Sequence, residues 1–184
     1  MSEHDRLRWE AKYREAAGAK HAPARASLAW IPPASAGALA LDVACGRGRH
    51  FGPLLGRGYR VVGVDIAAGA LQASAASGAP RGRVMLLQAD LDSWPFARDV
   101  FDLVVQCDFL DRRLFGHLKA SVRPGGHVLI DTFCGPASLE HGPSCRDYRL
   151  EPGELAHEFS TWEILRAGDC DDERDAIFAR KPRF

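Results

Sequence analysis

Leu41-Asp42-Val43-Ala44-Cys45-Gly46-Arg47-Gly48 is the stretch that decides the fold. With Ala38, Leu39 and Ala40 before it, it makes the near-continuous apolar run of a parallel strand covered on both faces. The run carries a carboxylate and then turns through two glycines toward a helix. Gly46 and Gly48 let backbone approach a ligand closely, and the helix start that follows is expected to add unpaired N–H groups and a positive dipole end. Asp42 selects the ligand, because a carboxylate here repels a pyrophosphate and attracts an ammonium group. A dinucleotide fingerprint asks for glycine at the sixth place of GxGxxG, and counted from Gly46 that place is Phe51. The helix is therefore expected to stand farther from the strand than dinucleotide packing wants.

Outward from this turn, Tyr59 to Asp65 is a β-branched strand ending in an acid. It follows about 20 residues after the glycines, where a nucleotide-binding α/β unit places its ribose-hydroxyl acceptor. Between the two, Phe51, Leu54 and Leu55 repeat at helical spacing, and Gly56 and Gly58 close the helix. Upstream, Leu7 to Ala17 reads as a helix with a Glu10/Arg14 pair, and Trp9 and Tyr13 share one of its faces. Ala22 to Trp30 suggests a further short helix, ended by Pro32 and Pro33. Downstream come an alanine-rich helix (Ala67 to Ala76), a strand from Val84 to Leu87 ending at Asp90, and a strand from Asp99 to Gln106. A helix from Arg112 to Val122, the turn Arg123 to Gly126 and a strand from His127 to Phe133 follow. Cys134 to Leu150 shows no period, which for a loop of that length points to function. A short helix at Glu154 and two strands, Trp162 to Ala167 and Arg174 to Ala179, close the pattern as an edge hairpin. Alternating buried strands and helices predict a doubly wound α/β sheet whose ligands bind at the strands' carboxyl ends.

Bulk properties narrow the function. The chain has 184 residues and 46% hydrophobic content, enough for one domain with a full core. Its formal charge is zero, so nothing drives it onto nucleic acid or an anionic membrane. Cys45, Cys107, Cys134, Cys145 and Cys170 are an odd, scattered set without metal spacing, so neither disulfides nor a metal site are expected. The charged N-terminus lacks the apolar core of a secretion signal, which predicts a cytoplasmic protein.

Taken together, these motifs resemble a class I S-adenosylmethionine-dependent methyltransferase across nearly the whole chain. LDVACGRGR looks like that family's first motif, VVGVDI its second-strand motif, QAD its third-strand end, FDLVVQCDFL its fourth-strand motif and RPGGHVLIDTF the turn and strand that follow. The resemblance implies a Rossmann-like, mostly parallel seven-stranded sheet in the order 3-2-1-4-5-7-6. Within the class the chain looks nearest to small bacterial members of the tellurite-resistance and thiopurine type. One methyltransferase domain spans 1–184: a helical cap (1–33), a cofactor core (38–133), a substrate loop (134–150) and a C-terminal helix with the edge hairpin (151–184). Residue by residue, the resemblance implies that Asp42 holds the methionine amino group, directly or through water, while Ala44, Cys45, Gly46 and Gly48 line the methionine and ribose. Asp65 takes the ribose hydroxyls, Ile66 packs on adenine, Asp90 accepts from its amino group beside Leu91, and Cys107 lies near the sulfonium. Trp9 and Tyr13 close over the cofactor or simply fasten their helix to the domain. The family's fullest pattern has glycine where Ala44 stands, a small departure because the strand is expected not to have turned there yet.

Methyl transfer from a sulfonium needs alignment and water exclusion more than acid–base help. Soft thiolate or metalloid acceptors need no general base, whereas a hydroxyl or amine benefits from one. Weak candidates for a catalytic role are Asp108, Asp111, Arg112 and His141, with Asp131 at another strand end and Arg146 and Arg149 as possible anion binders. His50 and His117 read as ordinary polar residues on helices. The expected partner is a small-molecule acceptor, with the protein a monomer or homodimer. Two alternatives are a non-catalytic module that binds the methyl donor or S-adenosylhomocysteine, and a nicotinamide oxidoreductase, which Asp42 and Phe51 disfavour.

Overall fold

The computed structural model describes residues 3–15, 22–76, 82–136, 142–168 and 173–184. Seven strands form one sheet in the order β3-β2-β1-β4-β5-β7-β6, the order the resemblance implied. They are β1 (Leu39–Val43), β2 (Arg60–Asp65), β3 (Val84–Gln88), β4 (Phe101–Cys107), β5 (Val122–Phe133), β6 (Glu163–Ala167) and β7 (Arg174–Arg180). Pairing is parallel for β1 with β2, β2 with β3 and β4 with β5, and antiparallel for β7 with both β5 and β6. The chain divides into two compact units, residues 1–24 with 33–95 and residues 25–32 with 96–184.

In the first unit, β1 and β2 supply Ala40, Leu41, Val43, Val61 and Val64 to the core, each at most 1% exposed. Helix α2 (Phe51–Gly56) buries Phe51 and Leu54. Phe51 does not hold its helix away from the sheet. A Cβ on Gly63, in the middle of β2, would fall 2.5 Å from Phe51 Cζ and 2.9 Å from Cys45 Sγ. The glycine missing from the helix is thus supplied by the strand opposite, and the ring packs into the space. Helix α1 runs Glu3–Glu15 and α3 runs Ala68–Ala76. Glu10 is not spent on Arg14; its carboxylate accepts from Ala68 N at 2.6 Å and Gly69 N at 3.2 Å, capping the free amides that open α3.

The second unit departs from expectation in two places. Arg123 to Gly126 lies inside β5 instead of ahead of it: Phe101 pairs with Val122, the next paired residues are Leu103 and His127, and the register shifts between them. Helix α4 is shorter than expected, Phe115–Ser121, with a single 3-10 turn at Arg112–Leu114 before it. The periodless segment after β5 is stitched at its base. Leu150 N donates to Phe133 O at 2.8 Å and Gly135 N to Leu150 O at 2.9 Å, while the fully buried Arg149 donates to the carbonyls of Gly135 and Cys134 and to Glu173. Cys134 is disulfide-bonded, against the expectation that no disulfide forms, whereas Cys45, Cys107 and Cys145 are in none. Cys170 and His141 lie outside the described residues. Helix α5 (Glu154–Glu158) buries Leu155, and β6 forms an exposed edge.

Candidate functional site

Strand β1 stops at Val43, and Ala44 already has φ +52°, followed by Gly46 at +54° and Gly48 at +75°. The chain has therefore turned at Ala44. An L-residue in this left-handed region stores roughly 1–2 kcal/mol of strain, so replacing the family's glycine is not neutral for the backbone. Nor does a long helix organise the turn, since α2 begins only at Phe51 and is six residues long. Asp65 organises it instead. Its Oδ2 accepts from Gly46 N at 2.7 Å and its Oδ1 from Ala67 N at 2.9 Å, joining the tip of β2 to the glycine turn.

Electrostatics in this unit follow from burial. Desolvation raises the Asp65 carboxyl above the usual range, the amides of Ala67 and Gly46 pull it back, and the charge of Asp42 pushes it further up. The Cys45 thiol is pushed far up by burial and then by Asp42 and Asp65, so it remains a packed thiol and not a nucleophile. Burial and Asp65 likewise raise the Tyr13 phenol. That hydroxyl lies over the turn: a Cβ on Gly46 would come 2.5 Å from Tyr13 Oη. Trp9 stacks obliquely on Tyr13 at 6.0 Å, with the Lys12 ammonium 4.3 Å from its ring centre. Gly48 has a different reason for lacking a side chain, because a Cβ there would meet Ser74 Oγ at 2.5 Å and Phe51 at 2.6 Å. Its requirement for glycine is explained by packing inside the unit.

Asp42 is 1% exposed. Its Oδ1 lies 3.5 Å from His50 Nδ1, and its Oδ2 is buried without a hydrogen-bond partner. A buried carboxylate oxygen left open is costly, and an ammonium group would satisfy it. The residue types around the turn therefore suit the zwitterionic tail of S-adenosylmethionine. Beyond β3, Asp90 Oδ1 accepts from Asp92 N at 3.0 Å in a tight turn, and Leu91 and Ile66 are buried. The sequence reading missed His50, which is 3% exposed beside Asp42 and not an ordinary surface polar residue, and Glu10, which holds the start of α3. A histidine one residue before the buried Phe51 was the only available signal for the first.

The second unit collects the strand-tip candidates and neutralises them. Asp108, at φ +55°, receives Arg25 on both oxygens (2.5 and 3.0 Å) and Arg174 at 2.7 Å. Asp131 receives Arg174 at 2.6 Å and the Ser27 hydroxyl at 2.5 Å. Asp111 caps the turn at Arg113 N and pairs with the Arg113 guanidinium, which lowers its carboxyl. Arg112 forks onto Glu154 at 2.6 and 2.8 Å and donates to the carbonyls of Asp147 and Arg149. Arg146 pairs with Glu151, and Arg149 is the buried staple described above. Cys107 ends β4 with a buried thiol that is not in a disulfide. Among the described residues no cluster of three or more His, Cys, Asp or Glu could hold a metal ion, and no helix is long and apolar enough to cross a membrane.

Comparison with known proteins agrees with this architecture. Residues 40–126 match the family model described as a methyltransferase domain. Among solved structures, a chain from the complex between the Haloferax volcanii Trm112 methyltransferase activator and a methyltransferase superposes with a TM-score of 0.75 at 17% identity, covering 100% of this chain and 99% of its own. An S-adenosylmethionine-dependent methyltransferase from Mesorhizobium loti has a TM-score of 0.68 at 20% identity over 84% of this chain and 96% of its own. A structure describing conversion of a disulfide bond into a thioacetal group during echinomycin biosynthesis has a TM-score of 0.71 at 21% identity over 98% of this chain and 93% of its own. No curated protein matches the sequence. The matched segment is thus similar to a methyltransferase domain, and the fold is shared with solved structures described as S-adenosylmethionine-dependent methyltransferases.

Proposed function

We propose that this protein methylates a small-molecule acceptor whose nucleophilic atom is soft, a thiol or a metalloid oxyanion, in preference to a hydroxyl. The observation that carries this reading is the saturation of its strand-tip carboxylates. Asp108, Asp111 and Asp131 each hold a guanidinium, so none of the three is free to take a proton from an alcohol. A thiolate or metalloid already presents its electron pair at neutral pH and needs only alignment. The tellurite-resistance and thiopurine placement is consistent with such acceptors, as is a fold relative whose described chemistry takes place at sulfur.

Bound S-adenosylmethionine would supply an activated methyl group on its sulfonium. Asp42 would hold the amino group through Oδ2. Asp65 accepts from the backbone amides of Gly46, Ala67 and Ile66, and its remaining acceptor capacity would serve the ribose hydroxyls. Ala44, Cys45 and Gly46 would line the methionine and ribose, Ile66 and Leu91 would pack on the adenine, and Asp90 would accept from the adenine amino group. Tyr13, whose hydroxyl already covers Gly46, and its neighbour Trp9 would shield the site from water. In this reading 1–184 acts as a single cytoplasmic domain.

Transfer of labelled methyl groups from S-adenosylmethionine to matched aryl thiols, inorganic metalloid oxyanions and phenols tests the proposal. Thiols or metalloids should turn over at least tenfold faster than phenols of similar shape. Preferred turnover of a phenol or amine would overturn it.

A further inference from the structure

We propose that His50 is a positioning residue for the methyl donor's amino-acid tail: it orients the Asp42 carboxylate without neutralising it. The inference rests on the reading of Asp42 as the ammonium acceptor and goes one residue beyond it.

The geometry fixes the direction of every proton in the chain. Arg49 Nε donates to His50 Nε2 at 3.0 Å. A guanidinium does not give up its protons, so Nε2 is the acceptor and the imidazole proton sits on Nδ1. That proton points at Asp42 Oδ1, 3.5 Å away. Arg49, His50 and Asp42 thus form a one-way donor chain that ends on one oxygen and leaves Oδ2 open and buried. Both partners are locked: the side chains of His50 and Asp42 are 4% and 1% exposed. His50 directly precedes Phe51, whose ring fills the spaces left by Gly48 and Gly63. The identity of the donor also matters. A lysine or arginine touching Asp42 would cancel the charge that the ligand's ammonium needs, whereas an imidazole donating from Nδ1 holds the carboxylate by a hydrogen bond and leaves its charge in place. A freely rotating carboxylate would have to be ordered on binding, and fixing it beforehand removes that cost.

The test compares S-adenosylhomocysteine with 5′-methylthioadenosine, which shares the nucleoside and lacks the amino-acid tail. Dissociation constants are measured by calorimetry on the full-length protein and its H50L, H50Q, H50N and D42N variants. An asparagine amide can occupy the place of Nδ1, whereas glutamine places its amide farther out, nearer Nε2. H50L and H50Q should weaken S-adenosylhomocysteine about tenfold while leaving 5′-methylthioadenosine within about twofold. H50N should restore most of the loss. Equal weakening of both ligands, absence of rescue by H50N, or wild-type affinities in H50Q would each overturn the positioning role. D42N separates the two levels: if it leaves the preference for the tailed ligand unchanged, the Asp42 reading itself fails.

Discussion

Both units place acids where strands end, yet the two sets have opposite chemical states. In the first unit, Asp42 keeps a buried oxygen without any partner, and Asp65 accepts only backbone amides. In the second, Asp108 and Asp131 share Arg174, with Arg25 and Ser27 completing the set. The difference follows from what surrounds each tip. Asp42 and Asp65 border a glycine turn, where backbone amides serve Asp65 and the side chain touching Asp42 is an imidazole and not a guanidinium. Asp108 and Asp131 face a 3-10 turn at Ala26–Trp30 and the first residue of β7, which bring cations with them. Open acceptors can recruit a cationic ligand, whereas satisfied ones make a rigid wall.

The largest test of this contrast is Arg174→Met. It removes one cation that serves two carboxylates, leaving Asp131 with the Ser27 hydroxyl and Asp108 with Arg25. Breaking a mostly buried charge network in this way should destabilise the protein by about 2 kcal/mol, or ~4–8 °C in the melting temperature of a chain this size. The dissociation constant for S-adenosylmethionine should stay within about twofold, because the donor reading uses no atom of this network. A variant that melts normally but binds the donor tenfold more weakly would erase the division of labour.

Much of the contrast was invisible in the sequence. The strands were legible because a parallel sheet buried on both faces writes itself as apolar runs, and the acids at Asp42, Asp65 and Asp90 stood out as the only charges at their ends. What acts on those acids comes from far along the chain. Arg174 lies 66 residues from Asp108 and Arg25 lies 83 away, and no local pattern announces such pairs. Glu10 was assigned to Arg14 by helical spacing, but the free amides at the start of α3, 58 residues on, offered two donors in place of an exposed ion pair. The Gly63 cavity was missed for a similar reason: the spacing rule looks for its third glycine on the helix, and packing needs only that one of the two surfaces be bare.

A smaller effect belongs to the first unit alone. Ala44→Gly relieves the left-handed strain at φ +52° but makes the unfolded chain more flexible. These terms oppose each other, roughly 1–2 kcal/mol against 0.4–1, so a net stabilisation of about 0.5–1 kcal/mol is expected in denaturant titrations. A loss of stability would mean that the turn holds Ala44 by contacts of its methyl group.

The finest discriminator is the sign of the pH dependence. Asp65 has a folded-state pKa raised by desolvation, so between the unfolded value of 3.8 and that raised value the native state binds more protons than the unfolded state. Its contribution is fully present below pH 3.8 and is lost as pH rises through the folded pKa. Asp111 is lowered by its hydrogen bonds with Arg113, so its contribution is present above 3.8 and is lost as pH falls through its folded pKa. Asp65→Asn should therefore gain stability relative to the wild type as pH climbs above 3.8, whatever constant offset the lost amide contact imposes. Asp111→Asn should show a shallower loss below 3.8. Urea titrations across pH 3 to 7 read both slopes independently of the offsets. Slopes of the same sign would show that the two sets of strand-tip acids differ only in their neighbours and not in the protonation state those neighbours favour.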